Sequence, residues 1–165
     1  MERPYKPFQE SSAFRPGRMS RERLSVRPAT DTARPVFLLD TNVLLAALIA
    51  PERLTDEALV WLRDPGNEIL FSAVSIWAIA IQRSLERDGF DFMPEEIERL
   101  ALETGFRELP VRAAHCHSVA RMPWHHRDPF DRLLVAQAQA LPARLLTTDR
   151  LLTRYSDLVT LVARA

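Results

Sequence analysis

Five short strand-like runs alternate with longer helical segments from Val36 to the C-terminus, and no two runs are joined by a hairpin turn. The first run, Val36–Asp40, is short and apolar up to its aspartate, which is typical of a strand that is buried on both faces. Helical connections between them imply parallel pairing and right-handed crossovers. The sequence therefore predicts one α/β domain with three layers, α/β/α, around a parallel central sheet. The predicted strands are Val36–Asp40, Glu68–Phe71, Phe106–Leu109, Arg144–Thr147 and Leu158–Val162.

The segments between these strands carry their own helix start and stop signals. Thr55 can cap one helix, and Pro94 starts another that ends at Gly105. Asp128 lies before Pro129, a good first helical residue, and opens a helix that runs through Gln139. The other predicted helices are Val43–Ala50, Ala73 to about Arg87, Val111–Arg121 and the short segment Asp149–Tyr155.

Residues 1–35 differ in composition from the rest of the chain. They contain eight Lys/Arg against four Asp/Glu and five of the twelve prolines, without a sustained apolar period. This composition predicts a disordered, basic and proline-rich leader before a domain that spans residues 36–165. A basic arm that contacts RNA is the alternative role for the leader. Met19 is a second candidate for the start of the chain.

Composition narrows the setting in which the domain works. The chain has 165 residues, 47% of them hydrophobic, enough for one sizeable core. Its single cysteine, Cys116, excludes an internal disulfide and predicts a reducing, cytoplasmic location. We expect that thiol to pack within a helix layer. No segment reaches the roughly 18 apolar residues of a membrane span, and no secretory signal is present, so we expect no membrane contact.

Three aspartates stand where a strand ends or a helix begins. Asp40 follows the first strand, Asp149 follows the strand Arg144–Thr147, and Asp131 lies in the first turn of the helix that Asp128 opens. The carboxyl ends of parallel strands form the edge where α/β proteins bind their ligands. Carboxylates that converge there without a Lys or Arg partner would bind a hard divalent cation such as Mg²⁺.

Each of these aspartates also has a structural explanation. Asp40 or Asn42 could cap the helix that begins at Val43, and Asp149 could cap the segment that follows it. Asp131 would complement the helix dipole at the third helical position. For Asp128 we prefer the capping role.

A basic rim surrounds the turn from Asp128 to Asp131. Its members could hold RNA phosphates while a cation neutralises the acidic centre, and solvated loop charges are the alternative. Trp124 could stack on a base, although packing against Pro123 is the simpler expectation. Trp61 and Trp77 are expected in the core. The rim consists of His125, His126, Arg127 and Arg132.

At these residues the chain resembles the PIN-domain ribonucleases, in particular the VapC-type toxins of bacterial toxin–antitoxin pairs. The block from His125 to Ala138 is the most specific match, and the resemblance runs from about Val36 to the C-terminus. The other matching stretches are Leu38–Leu45, Ser72–Ile81 and Leu145–Asp149.

The resemblance implies a small α/β/α domain whose acidic residues bind Mg²⁺ or Mn²⁺ and direct water at an RNA phosphodiester. Asp40, Asp131 and Asp149 match three of the four family acids, and Thr147 matches a hydroxyl often found near the fourth. The chain departs from the pattern after Trp77, where Ala78 replaces the family glutamate. The basic residue that commonly follows four positions later is Gln82 here.

The resemblance also implies a cognate antitoxin and a homodimer as partners. The apolar surface of Val43–Ala50 and Leu59–Leu62 could serve either contact, and core packing is the default explanation for it. Two functions follow: a Mg²⁺- or Mn²⁺-dependent endoribonuclease toxin, with Asp128 as an auxiliary acid, or a catalytically silent PIN domain that binds an antitoxin or RNA.

Receiver and phosphotransferase domains are disfavoured, because no lysine follows residue 35.

Overall fold

The computed structural model describes residues 34–85 and 90–162. Nearly all of the predicted leader, and the predicted end of the third helix near Arg87 and Gly89, lie outside the described residues. Within them the structure contains five strands, six α-helices and two short 3-10 helices. The strands are β1 Val36–Leu39, β2 Glu68–Ser72, β3 Arg107–Leu109, β4 Arg144–Thr147 and β5 Val159–Leu161. The helices are α1 Thr41–Ile49, α2 Asp56–Arg63, α3 Ala73–Ser84, α4 Pro94–Thr104, α5 Ala113–Arg121 and α6 Pro129–Ala140.

The strands form a single parallel sheet in the order β3-β2-β1-β4-β5. The predicted parallel α/β sheet is thereby confirmed. β1 lies in the centre, paired with β2 on one side and with β4 on the other. The chain therefore leaves the sheet centre in opposite directions along the two halves, which makes the gap beyond β1 and β4 the topological switch point.

Alternate residues of the central strands enter two separate hydrophobic clusters. On β1, Phe37 and Leu39 belong to one cluster and Leu38 to the other, while Leu145 and Leu146 on β4 divide in the same way. This division follows from the two-residue period of a strand. One cluster includes apolar residues of α1, α2 and α4, and the other includes residues of α6. The sheet is therefore covered on both faces, as a three-layer α/β/α fold requires.

Several predicted helix ends are confirmed. The Thr55 hydroxyl accepts a hydrogen bond from the Ala58 N–H at 3.3 Å, so Thr55 caps α2. Gly105 ends α4 with φ 95°, a left-handed conformation that favours glycine. Other boundaries differ: α1 begins at Thr41 instead of Val43, α5 begins at Ala113 instead of Val111, and the segment after Asp149 is a 3-10 helix, Arg150–Arg154.

Two predictions about burial are wrong. Trp77 is 58% exposed on α3, where its ring meets Phe130 edge to face at a centroid distance of 4.9 Å. Cys116 is exposed on α5 instead of packed within a helix layer. Trp61 is half-buried and stacks on Phe37, in keeping with its expected core position. Both errors arise because an apolar residue type does not reveal which helix face meets the sheet.

Among the helices of the described ranges, none is both long enough and apolar enough to cross a membrane.

Candidate metal centre

The candidate site lies at the switch point between β1 and β4. Asp40 directly follows β1, and Asp149 follows β4 after Thr148. The two strands are paired in register, with Leu39 opposite Leu146, so their carboxyl ends open at the same edge of the sheet. Asp131 reaches this edge from the first turn of α6. The fold thus brings together three acids that are up to 109 positions apart in the sequence.

Asp40 is the most deeply buried of the three and is only 2% exposed. Its Oδ1 accepts a hydrogen bond from the Val43 N–H at 2.6 Å, which makes Asp40 the N-cap of α1. Its Oδ2 accepts hydrogen bonds from the Thr147 hydroxyl and from the Thr148 N–H. Burial raises the pKa of Asp40, and these donors oppose that rise because they favour the charged form.

Asn42, which we considered as an alternative cap for α1, does not have that role. The helix begins at Thr41, two residues earlier than predicted, and the Asp40 carboxylate supplies the cap. Asn42 is exposed in the first turn. A capping function for Asp40 does not exclude a role at the site, because its negative charge still acts on Asp131.

Asp131 and Asp149 converge around the imidazole of His126. The His126 Nε2 lies 2.8 Å from Asp149 Oδ2 and 3.8 Å from Asp131 Oδ2. One donor atom from each of the three side chains lies within 4.8 Å of the other two. Asp40 is not a member of this group. His126 was predicted to contact RNA on the rim, but its side chain is 14% exposed and points into the site instead.

The electrostatic character of the site shows most clearly at Asp131. Burial raises the pKa of Asp131 to about 7, and the nearby carboxylates of Asp128, Asp40 and Asp149 add to the rise. The structure gives neither Asp131 nor Asp149 an arginine or lysine ion-pair partner within residues 34–85 and 90–162. The negative charge collected here is therefore uncompensated by a fixed cation, which distinguishes it from an ordinary ion-pair network.

Asp128 has the structural role that we preferred. Its Oδ1 accepts a hydrogen bond from the Phe130 N–H at 2.8 Å, and it caps α6. It contributes negative charge near Asp131 but does not belong to the converging group. Thr147 connects two acids, because its hydroxyl donates to Asp40 and accepts from the Asp149 N–H at 3.0 Å.

The predicted basic rim is only partly present. Arg127 and His125 are exposed, and the centre of the His125 ring lies 5.1 Å from the centre of the Tyr155 ring. Arg132 does not lie on the exposed rim, because only 2% of its surface is exposed. Its Nη2 donates to the carbonyl groups of Val119 and Met122 at the end of α5.

Trp124 covers this buried arginine. The Arg132 guanidinium lies 3.9 Å from the centre of the Trp124 ring, an arrangement that favours a cation–π contact. The other side of the ring is open, and Trp124 is 73% exposed. Trp124 therefore packs against Arg132. The sequence had suggested the adjacent Pro123 as its partner.

Ala78 lies on α3 and is buried, with 6% of its surface exposed. On the same helix, the Ser75 hydroxyl accepts a hydrogen bond from the Thr41 hydroxyl at 3.0 Å. α3 packs against both α1 and α6, the helices that follow Asp40 and carry Asp131. The position that resembles the fourth family acid thus stands on a helix of the site but carries only a methyl group.

The donors present suit a hard divalent cation. Mg²⁺ and Mn²⁺ prefer carboxylate oxygens and retain waters readily. Asp131 and Asp149 are half-buried, and their converging donor atoms lie within 4.8 Å of each other. A bound cation would also offset the carboxylate repulsion that adds to the effect of burial on the pKa of Asp131.

Fold and site together define a parallel three-layer α/β domain with an acidic pocket at its topological switch point. The family model of the PIN domain matches residues 37–158, and the chain belongs to that family. PIN domains are generally nucleases. No curated protein matches the sequence.

Solved structures resemble this chain at low sequence identity. The VapBC2 structure from Rickettsia felis, bound to a DNA fragment from its promoter, has a TM-score of 0.53 and 16% identity; the match covers 77% of this chain and 98% of that chain. FitAcB from Neisseria gonorrhoeae has a TM-score of 0.48 and 19% identity; the match covers 76% of this chain and 96% of that chain. The likeness to VapBC2 concerns the fold alone.

Proposed function

We propose that this PIN domain is a Mg²⁺- or Mn²⁺-dependent endoribonuclease and the toxin of a toxin–antitoxin pair. One observation carries the proposal: Asp131 and Asp149 present carboxylate oxygens to a common space, with no arginine or lysine partner in the described part of the chain. The family match supports the nuclease class. RNA as the substrate comes from the sequence resemblance, as do the antitoxin and the homodimer, whereas the cytoplasmic location comes from the single cysteine.

In this proposal Asp131 and Asp149 would hold the cation, and the buried carboxylate of Asp40 would add negative charge to the site. A bound cation would supply the chemistry that lowers the pKa of an attacking water and polarises a phosphodiester oxygen. Thr147 fixes Asp40 through its hydroxyl and holds the main chain of Asp149, so the two acids keep a constant relative position. Burial of Asp40 and Asp131 keeps bulk water from screening these charges.

Ala78 favours one bound ion over two. Two Mg²⁺ ions carry four positive charges, and Asp40, Asp131 and Asp149 together supply at most three negative ones. A single ion that keeps several waters is compatible with the oxygens that remain. The two-ion arrangement, which stabilises both the attacking and the leaving oxygen, has less support here.

A catalytically silent PIN domain that binds an antitoxin or RNA is the second candidate. Two residues favour it: Ala78 lacks the carboxylate that the family pattern places there, and Gln82 lacks the positive charge. Loss of one electrostatic contributor can cost on the order of a hundred-fold in rate, by analogy with other active sites.

The two candidates are separated by an RNA cleavage assay with Mg²⁺, with Mn²⁺ and with EDTA. The nuclease proposal expects metal-dependent cleavage by the native chain that disappears in Asp149→Asn. A matched control is Glu103→Gln, which neutralises an exposed acid on α4 that pairs with Arg99. Native protein that cleaves nothing with either metal, while the Ala78→Glu variant cleaves, would establish the silent form.

Ala78→Glu places a carboxylate at a buried position, so its folding must be checked by a thermal melt before its activity is interpreted. Ala78→Gln is the matched control, because it has the same size without the charge. Restored cleavage in the glutamate variant alone would assign the effect to the carboxylate.

A further inference from the structure

The hydrogen bonds of His126 determine where its ring proton resides. The Asp128 N–H donates to the His126 Nδ1 at 3.0 Å. A nitrogen that accepts a hydrogen bond carries no proton, so the neutral ring must hold its single proton on Nε2.

The opposite nitrogen faces the acidic pair. Nε2 lies 2.8 Å from Asp149 Oδ2, a normal length for an N–H donor to a carboxylate. The other oxygen, Asp149 Oδ1, accepts the Leu151 N–H at 2.7 Å. Both oxygens of Asp149 are therefore oriented by N–H donors, one from the ring and one from the main chain.

The position of the ring is itself fixed from two directions. The His126 main-chain N–H donates to the Tyr155 hydroxyl at 2.9 Å, which ties the loop before α6 to the residue after the 3-10 helix. The Asp128 N–H belongs to the turn that caps α6. Rotation of the ring would break the contact at Nδ1 or the contact at Nε2.

These contacts conflict with a metal-ligand role for His126, although its Nε2 lies within 4.8 Å of donor atoms of Asp131 and Asp149. A ligating Nε2 must be unprotonated, so the proton would move to Nδ1 and oppose the Asp128 N–H at 3.0 Å. Metal-bound histidines show the reverse arrangement, in which the second nitrogen donates to a carboxylate, a carbonyl or water.

We propose that His126 is a positioning residue that holds Asp149 through an Nε2–H donor and does not bind the cation. The positioning role rests on the proposed function, because it assumes that Asp149 binds a cation. The tautomer itself can be tested without metal. The proposed role explains why a histidine lies among the acidic side chains: His126 supports the carboxylate of Asp149.

Long-range ¹H–¹⁵N NMR of the full chain without metal is the first test, because the ¹⁵N shifts distinguish a protonated ring nitrogen from an unprotonated one. We expect a protonated Nε2 and an unprotonated Nδ1 for His126, unchanged when Mg²⁺ is added to saturation. The exposed His117 serves as the internal control. An Nδ1–H tautomer in the free protein, or a loss of the Nε2 proton on Mg²⁺ binding, would overturn the inference.

Two substitutions give an independent test through Mn²⁺ affinity, measured by calorimetry. His126→Gln retains an N–H donor near the position of Nε2, and His126→Leu retains only volume. We expect affinity within about threefold of native for the glutamine variant and a loss of about tenfold or more for the leucine variant, as for other residues that orient ligands. Equal losses in both variants would contradict a donor role.

Pulsed EPR of Mn²⁺-loaded native protein examines the ligand question directly. We expect no directly coordinated ¹⁴N, and a strong coupling from an imidazole nitrogen that vanishes in His126→Gln would overturn the inference. The failure of the two proposals can be distinguished. A chain that binds no Mn²⁺ contradicts the metal site, and the metal-free NMR spectrum still decides the His126 tautomer.

Discussion

The Thr147 hydroxyl at the end of β4 donates a hydrogen bond to the Asp40 carboxylate at the end of β1. Both side chains are buried, and 107 positions separate them in the sequence. The same hydroxyl accepts the Asp149 N–H, so a single threonine fixes the relative positions of two acids. The acidic pocket is thus supported by polar contacts that cross the centre of the sheet.

Thr147→Val should destabilise the protein by roughly 1–3 kcal/mol, because it removes a donor from a buried carboxylate while it preserves side-chain shape. Thr147→Ser retains the hydroxyl and should lose less stability. Urea denaturation of the metal-free proteins gives the comparison. Equal stability of the native and valine proteins would show that the hydroxyl is not needed to support Asp40.

Asp131→Asn should stabilise the metal-free protein above pH 7. The pKa of Asp131 is raised from 3.8 to about 7 in the folded state, so between these values the folded chain keeps a proton that the unfolded chain has released. Stability therefore falls as pH rises from about 4 to about 7, and the loss is complete above pH 7. At about 1.4 kcal/mol per unit, the gain on substitution is on the order of 1–4 kcal/mol.

Thermal or urea unfolding in EDTA between pH 5 and pH 8 would measure this dependence. The slope should be shallower in Asp131→Asn than in the native chain, and Glu103→Gln should keep the native slope because that acid is exposed. A native protein whose stability rises from pH 5 to pH 7 would contradict the raised pKa.

Mn²⁺ should stabilise the folded chain, since the acidic pocket exists only in the folded state. At about one hundred times the dissociation constant the expected gain is about 2.7 kcal/mol. Asp149→Asn should abolish most of the gain, and EDTA should reverse it in the native protein. Differential scanning calorimetry at several Mn²⁺ concentrations provides the measurement. An equal gain in the native and Asp149→Asn proteins would indicate that the ion binds elsewhere.

Gln137→Leu should destabilise the protein by roughly 1–3 kcal/mol, because it leaves buried polar partners unsatisfied. Gln137 on α6 is fully buried; its Oε1 accepts the Ser72 hydroxyl at 2.6 Å, and its Nε2 donates to the Pro110 carbonyl at 3.3 Å. The double variant with Ser72→Ala should lose less than the sum of the single losses, since the two side chains share one hydrogen bond. Additive losses in urea would contradict this coupling.

Local pattern predicted the elements of this chain well. A wholly apolar run indicates a buried strand, and the predicted strand that begins at Val36 coincides with β1 apart from its last residue. Asp128 before Pro129 predicted the start of α6, because capping depends on the nearest main-chain N–H groups. The parallel pairing of the strands was also predicted, since helical connections between strands require crossovers.

The properties that the sequence did not reveal depend on contacts between distant segments. Arg132 and His126 both read as rim charges, yet one is buried under Trp124 and the other points between two acids. Trp77 read as core, yet its helix face is exposed. Exposure and orientation depend on how helices settle on the sheet, which residue type does not specify.

The residue types alone determined a parallel α/β domain with aspartates at its strand and helix ends, because those features arise from near neighbours along the chain. Only the tertiary structure decided which polar groups meet. The proton position on His126 follows from Asp128 on one side and from Asp149, 23 positions away, on the other. A hydrogen bond needs both partners within about 3 Å, and for residues this far apart only the folded chain brings them together.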